Sequence, residues 1–153
     1  MIRPATKADS AQAIDVVRRS IEVLCVADHR KDRATLERWL ANKTQEMFES
    51  WIANPENFCV VAEVGGRVRG VGLLRRSGEL LLFYVDPGHQ RSGLGRGIHA
   101  ALEEQARSWG LDKLHLESTA TARPFYEALG YRSAGPETSL FGVLRAYPCE
   151  KAL

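Results

Sequence analysis

The 153-residue sequence predicts one domain, residues 1–153, of the α+β class with a mixed α/β sheet. Apolar residues recur every three or four positions from Ile14 to Leu24, which is the period of one helix face. Between Phe58 and Val85, three β-rich segments follow one another across glycine-containing turns, a pattern typical of a meander. After Val85 the pattern alternates between helix and strand, so both element types contribute to one core.

Composition and charge exclude several functional classes. The chain has 21 basic and 19 acidic residues, so no basic excess exists to bind nucleic acid broadly. No run reaches the roughly 18 apolar residues that span a bilayer, and the N-terminus lacks the apolar region of a secretory signal. The three cysteines form no C-x-x-C pair, which argues against a disulfide framework or a zinc ribbon. We therefore expect a cytoplasmic protein with no membrane or nucleic-acid partner.

The N-terminal third is predicted to contain an edge strand and three helices. Ile2-Arg3-Pro4 is a short apolar start, and proline in a strand is tolerated only at a sheet edge. The first helix follows, and a charged run over residues 28–33 separates it from a short helix around Trp39. Thr44 can cap a third helix, which is predicted to end at Asn54-Pro55 because the residue before a proline disfavours helical geometry.

Three strands are predicted in the middle of the chain. Phe58–Val64 and Val68–Leu74 flank Gly65-Gly66, and glycine tolerates the positive φ angles of a two-residue hairpin turn. Ser77-Gly78 then turns the chain into Leu80–Val85. This last segment is almost continuously apolar, as expected for a central strand that is buried on both faces.

The second half is predicted to alternate helix and strand. A helix covers about Gly93–Trp109 and ends at Gly110, a glycine that suits a helix C-terminus. A strand follows at Lys113–Glu117. A second helix covers about Pro124–Gly130, since proline suits a first helical turn. The last strand is predicted at Leu140–Tyr147.

The turn Gln90–Gly97 is the most informative segment, because it joins a buried strand to a well-patterned helix. A helix start presents unpaired N–H groups and the positive end of the helix dipole. Glycines remove side chains, so that a diphosphate can approach the backbone closely. Arg91 and Arg96 add positive charge nearby. The turn is therefore predicted to bind phosphate groups.

Three phosphate-binding motifs compete for this turn. Gly88–Gly93 has the P-loop spacing, but Leu94 follows where that motif requires lysine. Gly95–Ala100 fits the dinucleotide fingerprint G-x-G-x-x-A, with Glu117 ending the next strand. Against this fingerprint, a long loop separates strand from helix, and the chain is too short for two nucleotide-binding halves. The third motif is [QR]-x-x-G-x-[GA], which Gln90–Gly95 fills.

With that motif the sequence resembles the GNAT superfamily of acetyl-CoA-dependent N-acetyltransferases over nearly the whole chain. Ile2–Thr6 with Asp9 looks like the family's opening strand and helix, and Phe83–Gly95 looks like its strand and diphosphate loop. Phe125–Tyr131 looks like its closing helix motif. The resemblance implies a central, mostly antiparallel sheet with helices on both faces. It also implies acetyl-CoA as co-substrate and no metal.

The same resemblance assigns the residues that bind acetyl-CoA. The thioester carbonyl and the pantetheine arm would pair with the backbone of the central strand, where it parts from the Lys113–Glu117 strand. The family often has an asparagine seven residues before the closing tyrosine, and Thr119 stands there in this chain, so Thr119 or Ser118 would take over its hydrogen bonds. The residues assigned to the cofactor are Phe83, Tyr84, Val85, Gln90, Arg91, Ser92, Gly93, Leu94, Gly95, Arg96 and Thr119.

Two catalytic roles follow for acetyl transfer. Tyr126 matches the family's tyrosine, and a phenol of pKa about 10 can protonate a departing thiolate whose thiol has a pKa of roughly 8.5. Glu79 begins the central strand with the same parity as Phe83 and Val85, and it is assigned as the base. His115 and Glu117, which share a strand face, are each an alternative base.

The acceptor is predicted to be an amine of a small molecule or peptide, whose identity the sequence does not specify. In this superfamily the first two helices cover the acceptor groove, so residues 28–33 form either an acceptor wall or a solvated loop. Trp39 and Trp51 are either core residues or part of that pocket. Cys25 is predicted to be a small buried residue without a chemical role.

Two other functions stay open at this point. One is a non-catalytic CoA-binding or sensor domain of the same fold. The other is a small nucleotide-binding oxidoreductase, which requires the G-x-G-x-x-A interpretation of the turn. Homodimers are common among similar proteins, and the sequence identifies no interface.

Overall fold

A computed structural model describes all 153 residues of the chain. Fourteen helices and strands follow one another, together with short 3₁₀ turns at Lys7–Asp9 and Pro87–His89. The elements are β1 (Ile2–Pro4), α1 (Ser10–Leu24), α2 (Val26–His29), α3 (Arg33–Leu40), α4 (Gln45–Ala53), β2 (Asn57–Val64), β3 (Arg67–Arg75), β4 (Leu80–Val85), α5 (Leu94–Ser108), β5 (Lys113–Ser118), α6 (Arg123–Ala128), β6 (Arg132–Ser133), β7 (Thr138–Leu140) and β8 (Leu144–Ala152).

The strands form two antiparallel sheets. Strands β1, β2, β3 and β4 lie side by side in chain order, and the meander predicted from the sequence is therefore confirmed. In the second sheet, β8 pairs with β5, β6 and β7. The two sheets meet at a single parallel bridge between Glu79 and His115, and β4 and β5 share no ladder beyond it. The edge of β4 that faces β5 is therefore unpaired beyond this bridge.

Helices cover both faces, as expected. One buried cluster packs α1, α3 and α4 against the first sheet, around Ile21, Phe48 and Leu73. A second cluster packs α5 against the opposite face, around Ile98 and Leu102. No helix in the chain combines the length and the apolar character needed to cross a membrane.

Two glycines of β3 set the distance between α5 and the sheet. A Cβ atom at Gly70 would lie 2.6 Å from Cδ1 of Ile98, and one at Gly72 would lie 2.5 Å from its Cγ2. Both positions therefore exclude a larger side chain unless α5 moves. This close packing holds the first turn of α5 near the end of β4.

Two element predictions are wrong. The last strand is not Leu140–Tyr147: the chain reverses at Phe141 and Gly142, which have φ angles of 54° and 72°, and β8 begins only at Leu144. Strand β4 is not buried on both faces; Leu80 and Leu82 are buried, but the other four residues are half-buried. The cause is the missing neighbour on its β5 side, which leaves an open edge that apolar composition alone does not reveal.

Candidate active site

The gap between β4 and β5 is the mouth of a cavity of about 840 Å³. Its walls come from β4, the turn after it, the start of α6, the helices of the first cluster and the β7–β8 turn. Every site residue assigned from the sequence lines this cavity except Leu94, whose side chain packs into the α5 core. The residues so brought together are Glu79, Phe83, Tyr84, Val85, Gln90, Arg91, Ser92, Gly93, Gly95, Arg96, Thr119 and Tyr126.

The turn at the start of α5 has the features of an anion site. None of the backbone N–H groups from Gln90 to Arg96 has a hydrogen-bond partner. The next N–H group, of Gly97, donates to the carbonyl oxygen of Gly93 at 3.1 Å. Gly93 has a φ of 85°, in the region that favours glycine, and α5 begins directly after it. Neither Arg91 nor Arg96 forms an ion pair with a carboxylate. The turn therefore combines free donors with free positive charge.

Two side chains of the turn support its shape. The Gln90 amide donates to the carbonyl oxygen of Val85 at 3.0 Å, and the Ser92 hydroxyl donates to that of His89 at 2.5 Å. Their side chains thus hold the turn, while their N–H groups stay free for a ligand.

A buried carboxylate that sequence reasoning missed anchors this turn to the sheet. Asp86 is 2% exposed and accepts hydrogen bonds at 2.8 Å from Arg19 of α1 and Arg69 of β3. Burial opposes its ionisation, but the hydrogen bonds and charges of Arg69 and Arg19 outweigh this and hold the pKa of Asp86 below its usual range. No local pattern marks Asp86, because only the fold brings the two arginines to it.

The dinucleotide interpretation of the turn is wrong. Gly95 and Gly97 lie inside the first turn of α5, and the neighbouring sheet is antiparallel. A Cβ atom at Gly95 would lie 3.2 Å from Cζ of Phe125. The small residue at this position therefore also allows α6 to pack closely against α5.

The open edge of β4 offers two N–H groups to the cavity. The N–H of Asp86 donates to the carbonyl of Arg69 on β3, and the alternation of an antiparallel ladder then directs the N–H of Tyr84 to β3 as well. The N–H groups of Phe83 and Val85 consequently face the gap. The Val85 carbonyl is already used, because Ser20 and Gln90 donate to it at 2.8 and 3.0 Å.

Tyr126 lies in the middle of α6. It is 6% exposed, and its ring packs edge-on against Phe83, Phe125 and Tyr131. Its hydroxyl makes no hydrogen bond within the protein, although the residue lines the cavity. Burial raises the pKa of Tyr126 well above its ordinary value. The phenol therefore keeps its proton at all physiological pH values.

Behind Tyr126, a buried histidine supports the aromatic cluster. Nε2 of His99 lies 2.8 Å from the hydroxyl of Tyr131, and Nδ1 lies 3.4 Å from Glu103. His99 is 2% exposed, and this burial lowers the pKa of its ring to about 4, against an attraction from Glu103.

This pKa predicts acid sensitivity of the fold. Between pH 6.5 and 4 the unfolded chain binds a proton at His99 that the folded chain excludes, so stability falls as pH falls. The loss from this ring amounts to roughly 3 kcal/mol at the lower end. We expect His99→Gln to show a smaller loss between pH 7 and 4 in urea unfolding. Parallel profiles for the two proteins would show that the folded protein accommodates the protonated ring.

Of the two hydroxyl residues proposed to replace the asparagine, Thr119 lines the cavity and Ser118 does not. Ser118 is 1% exposed and donates to the carbonyl of Thr119, so it does not reach the cavity. Thr119 lines the cavity, and its hydroxyl oxygen accepts from the N–H of Ala122 at 3.2 Å. Its own proton remains free to donate.

None of the residues in the charged run 28–33 lines the cavity, so the run is not an acceptor wall, and residues 30–33 are exposed. Asp28 belongs to α2, and its carboxylate accepts hydrogen bonds from the N–H groups of Ala120 and Thr121 and from the Thr121 hydroxyl. This contact ties α2 to the loop between β5 and α6, which carries Thr119. Trp39 and Trp51 are both core residues and cavity-lining ones, and Cys25 is buried beside them.

Glu79 lines the cavity, but not with the predicted parity. A bulge shifts the register between β3 and β4, so Leu73 pairs with Leu82 and Leu74 with Leu80. The extra residue reverses the alternation, and Glu79 no longer shares a face with Phe83. Its carboxylate lies 3.5 Å from Arg75, and 40% of the side chain is exposed. Glu117 also lines the cavity, whereas His115 does not.

Sequence reasoning missed several cavity residues, among them Asn42, Lys43 and Phe141. Lys43 stands one residue before the helix-capping Thr44, where a lysine is expected to point into solvent. In the structure it is 4% exposed. No local signal could have shown this, because the β7–β8 turn that covers it lies about 100 residues further along the chain.

Comparison with known proteins gives a consistent result. Residues 24–151 match the family model described as an acetyltransferase (GNAT) domain. Phosphinothricin N-acetyltransferase of Streptomyces viridochromogenes is 30% identical over 148 residues, which cover 88% of this chain and 75% of that protein. A Bacillus subtilis (strain 168) protein provisionally named an acetyltransferase is 36% identical over 77 residues. That match covers 50% of this chain and only 50% of the Bacillus protein.

Solved structures share the fold over the full length. The PaiA N-acetyltransferase of Thermoplasma acidophilum, solved in complex with coenzyme A, superposes with a TM-score of 0.85. It is 19% identical, and the alignment covers 100% of this chain and 98% of that one. At this level of identity the likeness establishes the architecture described above.

Proposed function

This chain belongs to the GNAT acetyltransferase family, and we propose that it transfers the acetyl group of acetyl-CoA directly to a primary amine. The observation that carries the proposal is that one cavity is lined both by the turn at residues 90–96, whose N–H groups have no partner, and by Tyr126, whose hydroxyl makes no hydrogen bond. The N–H groups of residues 90–96 and the cations Arg91 and Arg96 fit a diphosphate. Further along β4, the N–H groups of Phe83 and Val85 and the hydroxyl of Tyr126 fit a thioester.

Acetyl-CoA supplies an acetyl group on a thiol leaving group. In the proposed transfer, a C–N bond forms between the amine and the acetyl carbon while the C–S bond breaks. The N–H groups on the open edge of β4 stabilise the negative charge that develops on the carbonyl oxygen. Glu79 takes the proton that the amine loses, directly or through water, and Tyr126 gives a proton to the departing sulfur. The products are an acetamide and free coenzyme A.

The raised pKa of Tyr126 is compatible with this role. Burial disfavours the phenolate, but the same apolar surroundings disfavour a thiolate, so the difference in acidity between phenol and thiol widens by less than the shift of Tyr126 alone. Thr119 is proposed to donate its free hydroxyl proton to the pantetheine arm. The N-acetyltransferase names of relatives support an amine nitrogen as the acceptor atom.

A ligand comparison tests this proposal. Acetyl-CoA at about 100 times its Kd should raise the melting temperature by several degrees, because a ligand that binds only the folded chain adds about 2.7 kcal/mol of stability. ATP and NAD should have little effect. Arg96→Ala should weaken the acetyl-CoA shift, whereas Arg67→Ala, an exposed arginine at the start of β3, should leave it unchanged.

Turnover is measured separately, by release of free thiol with a panel of amines. Thiol release that depends on an amine supports the proposed transferase. Acetyl-CoA binding without thiol release from any amine would favour the non-catalytic CoA-binding domain instead. Stabilisation by NAD and not by acetyl-CoA would overturn the cofactor assignment.

A further inference from the structure

Lys43 is a buried cation without an anionic partner. Only 4% of the residue is exposed, yet it lines the cavity. Its Nζ donates to Oδ1 of Asn42 at 2.6 Å and lies 5.0 Å from the centre of the Phe141 ring. No carboxylate lies within ion-pair distance of it. A buried lysine or arginine is expected to pair with an acid.

The backbone keeps Lys43 in this position. Nη1 of Arg18 donates to the carbonyl oxygens of Leu40 and Lys43, at 3.0 and 2.9 Å. These bonds hold the segment between α3 and α4 against α1, which fixes the backbone from which the Lys43 side chain projects. Burial lowers the pKa of Lys43 to about 8, because removal from water destabilises the charged ammonium group. A bound anion would offset that destabilisation.

The surroundings of Lys43 restrict what can occupy this part of the cavity. Trp39, Trp51 and Phe141 provide apolar and aromatic walls, and Asn42 adds a neutral amide. Glu79 and Glu117 are the only carboxylates of the lining, and Glu79 is already beside Arg75. A polyamine or another polycation would bring further positive charge towards Lys43, which itself has no carboxylate at ion-pair distance.

We propose that Lys43 binds an anionic group of the acceptor, so that the amine acetylated by this protein also carries a carboxylate or a phosphorus oxyanion. The inference rests on the proposed function and adds the chemical class of its acceptor. Lys43 would act as a specificity residue: it contacts the acceptor's anion and takes no part in the proton transfers.

Binding can be tested without turnover. In the presence of saturating coenzyme A, melting temperatures are measured with amines that carry an anionic group and with partners that lack it: alanine and methionine beside their carboxamides, glutamate beside its diamide, and 2-aminoethylphosphonate beside ethanolamine. We expect at least one amine with an anionic group to stabilise the protein more than its partner without that group. Equal or smaller shifts for all the anionic amines would overturn the proposal, whether or not the protein proves to be an acetyltransferase.

A variant then locates the effect. Lys43→Met should abolish the preference for the anionic amine, and where turnover is seen, it should raise the KM for that amine about 10- to 100-fold. The KM for acetyl-CoA and the turnover of neutral amines should change little. Lys113→Met, which removes an exposed lysine outside the cavity, serves as the matched control.

The outcomes separate the two proposals. If Lys43→Met does not fold, the melting-temperature comparison of the amines on the parent protein still tests the proposal. Thiol release with neutral or cationic amines alone would leave acetyl transfer standing and overturn the anionic acceptor. A rise in the KM for acetyl-CoA on Lys43→Met, with the anionic preference intact, would also overturn it, because Lys43 would then serve the cofactor.

Discussion

Tyr126→Phe is expected to lower kcat by about 100-fold or more, with little change in acetyl-CoA affinity. The substitution removes one hydroxyl from a ring that keeps its packing against Phe83 and Tyr131. Loss of a general acid costs about this factor, because the sulfur must then leave as an unprotonated thiolate. The rate of thiol release at saturating acetyl-CoA measures the effect, and thermal shift with acetyl-CoA measures the affinity.

Tyr131→Phe is the matched control. It removes the same atom from a neighbouring tyrosine, whose hydroxyl lies against His99 instead of the cavity. We expect it to lower stability by about 1 kcal/mol and to leave kcat nearly unchanged. Equal values of kcat for Tyr126→Phe and the parent protein would show that the leaving thiolate does not need this proton.

Glu79→Gln is expected to lower turnover by roughly 100-fold at low pH, with a defect that shrinks as pH rises. Below the pKa of the acceptor amine, most of the amine is an ammonium ion, and a base must remove its proton before attack. Above that pKa the free amine predominates and needs less help. The measurement is kcat/KM from about pH 6 to 10, with the same acceptor throughout.

Glu117→Gln provides the comparison, since Glu117 lines the same cavity on the opposite strand. If the rate of Glu79→Gln follows that of the parent at every pH, Glu79 has no part in the proton transfer. A pH-dependent defect in Glu117→Gln alone would assign the base to β5. The ion pair with Arg75 gives a further check, because Arg75→Gln removes this contact and leaves the Glu79 carboxylate in place.

Local sequence signals predicted most of the elements, because each depends on neighbouring residues. The Gly65-Gly66 hairpin needs only two glycines with positive φ, which the structure confirms at 60° and 79°. Thr44 caps α4 through its hydroxyl, which accepts from the N–H of Met47 at 3.2 Å. The prediction of the last strand is wrong because the chain reverses at Phe141, a non-glycine residue with positive φ, and composition does not predict such a reversal.

The strand face of Glu79 could not be predicted from local signals. Alternation along a strand predicts a face only while the ladder is regular, and the bulge near Leu81 reverses it. The register of β3 against β4 that creates the bulge is a property of the paired strands. It cannot be found in either strand alone.

The sequence by itself predicted most of the element order, an anion site at the turn from Gln90 to Gly95 and the GNAT family, because turn chemistry, helix periodicity and motif spacing are local. Only the tertiary structure decided that β4 and β5 meet at the one bridge between Glu79 and His115, that Asp86 lies between two arginines, and that Lys43 is enclosed without a counterion. Each of these depends on segments that are far apart in the chain. Whether a side chain is buried, paired or left free is settled by packing between such segments, and no local pattern encodes it.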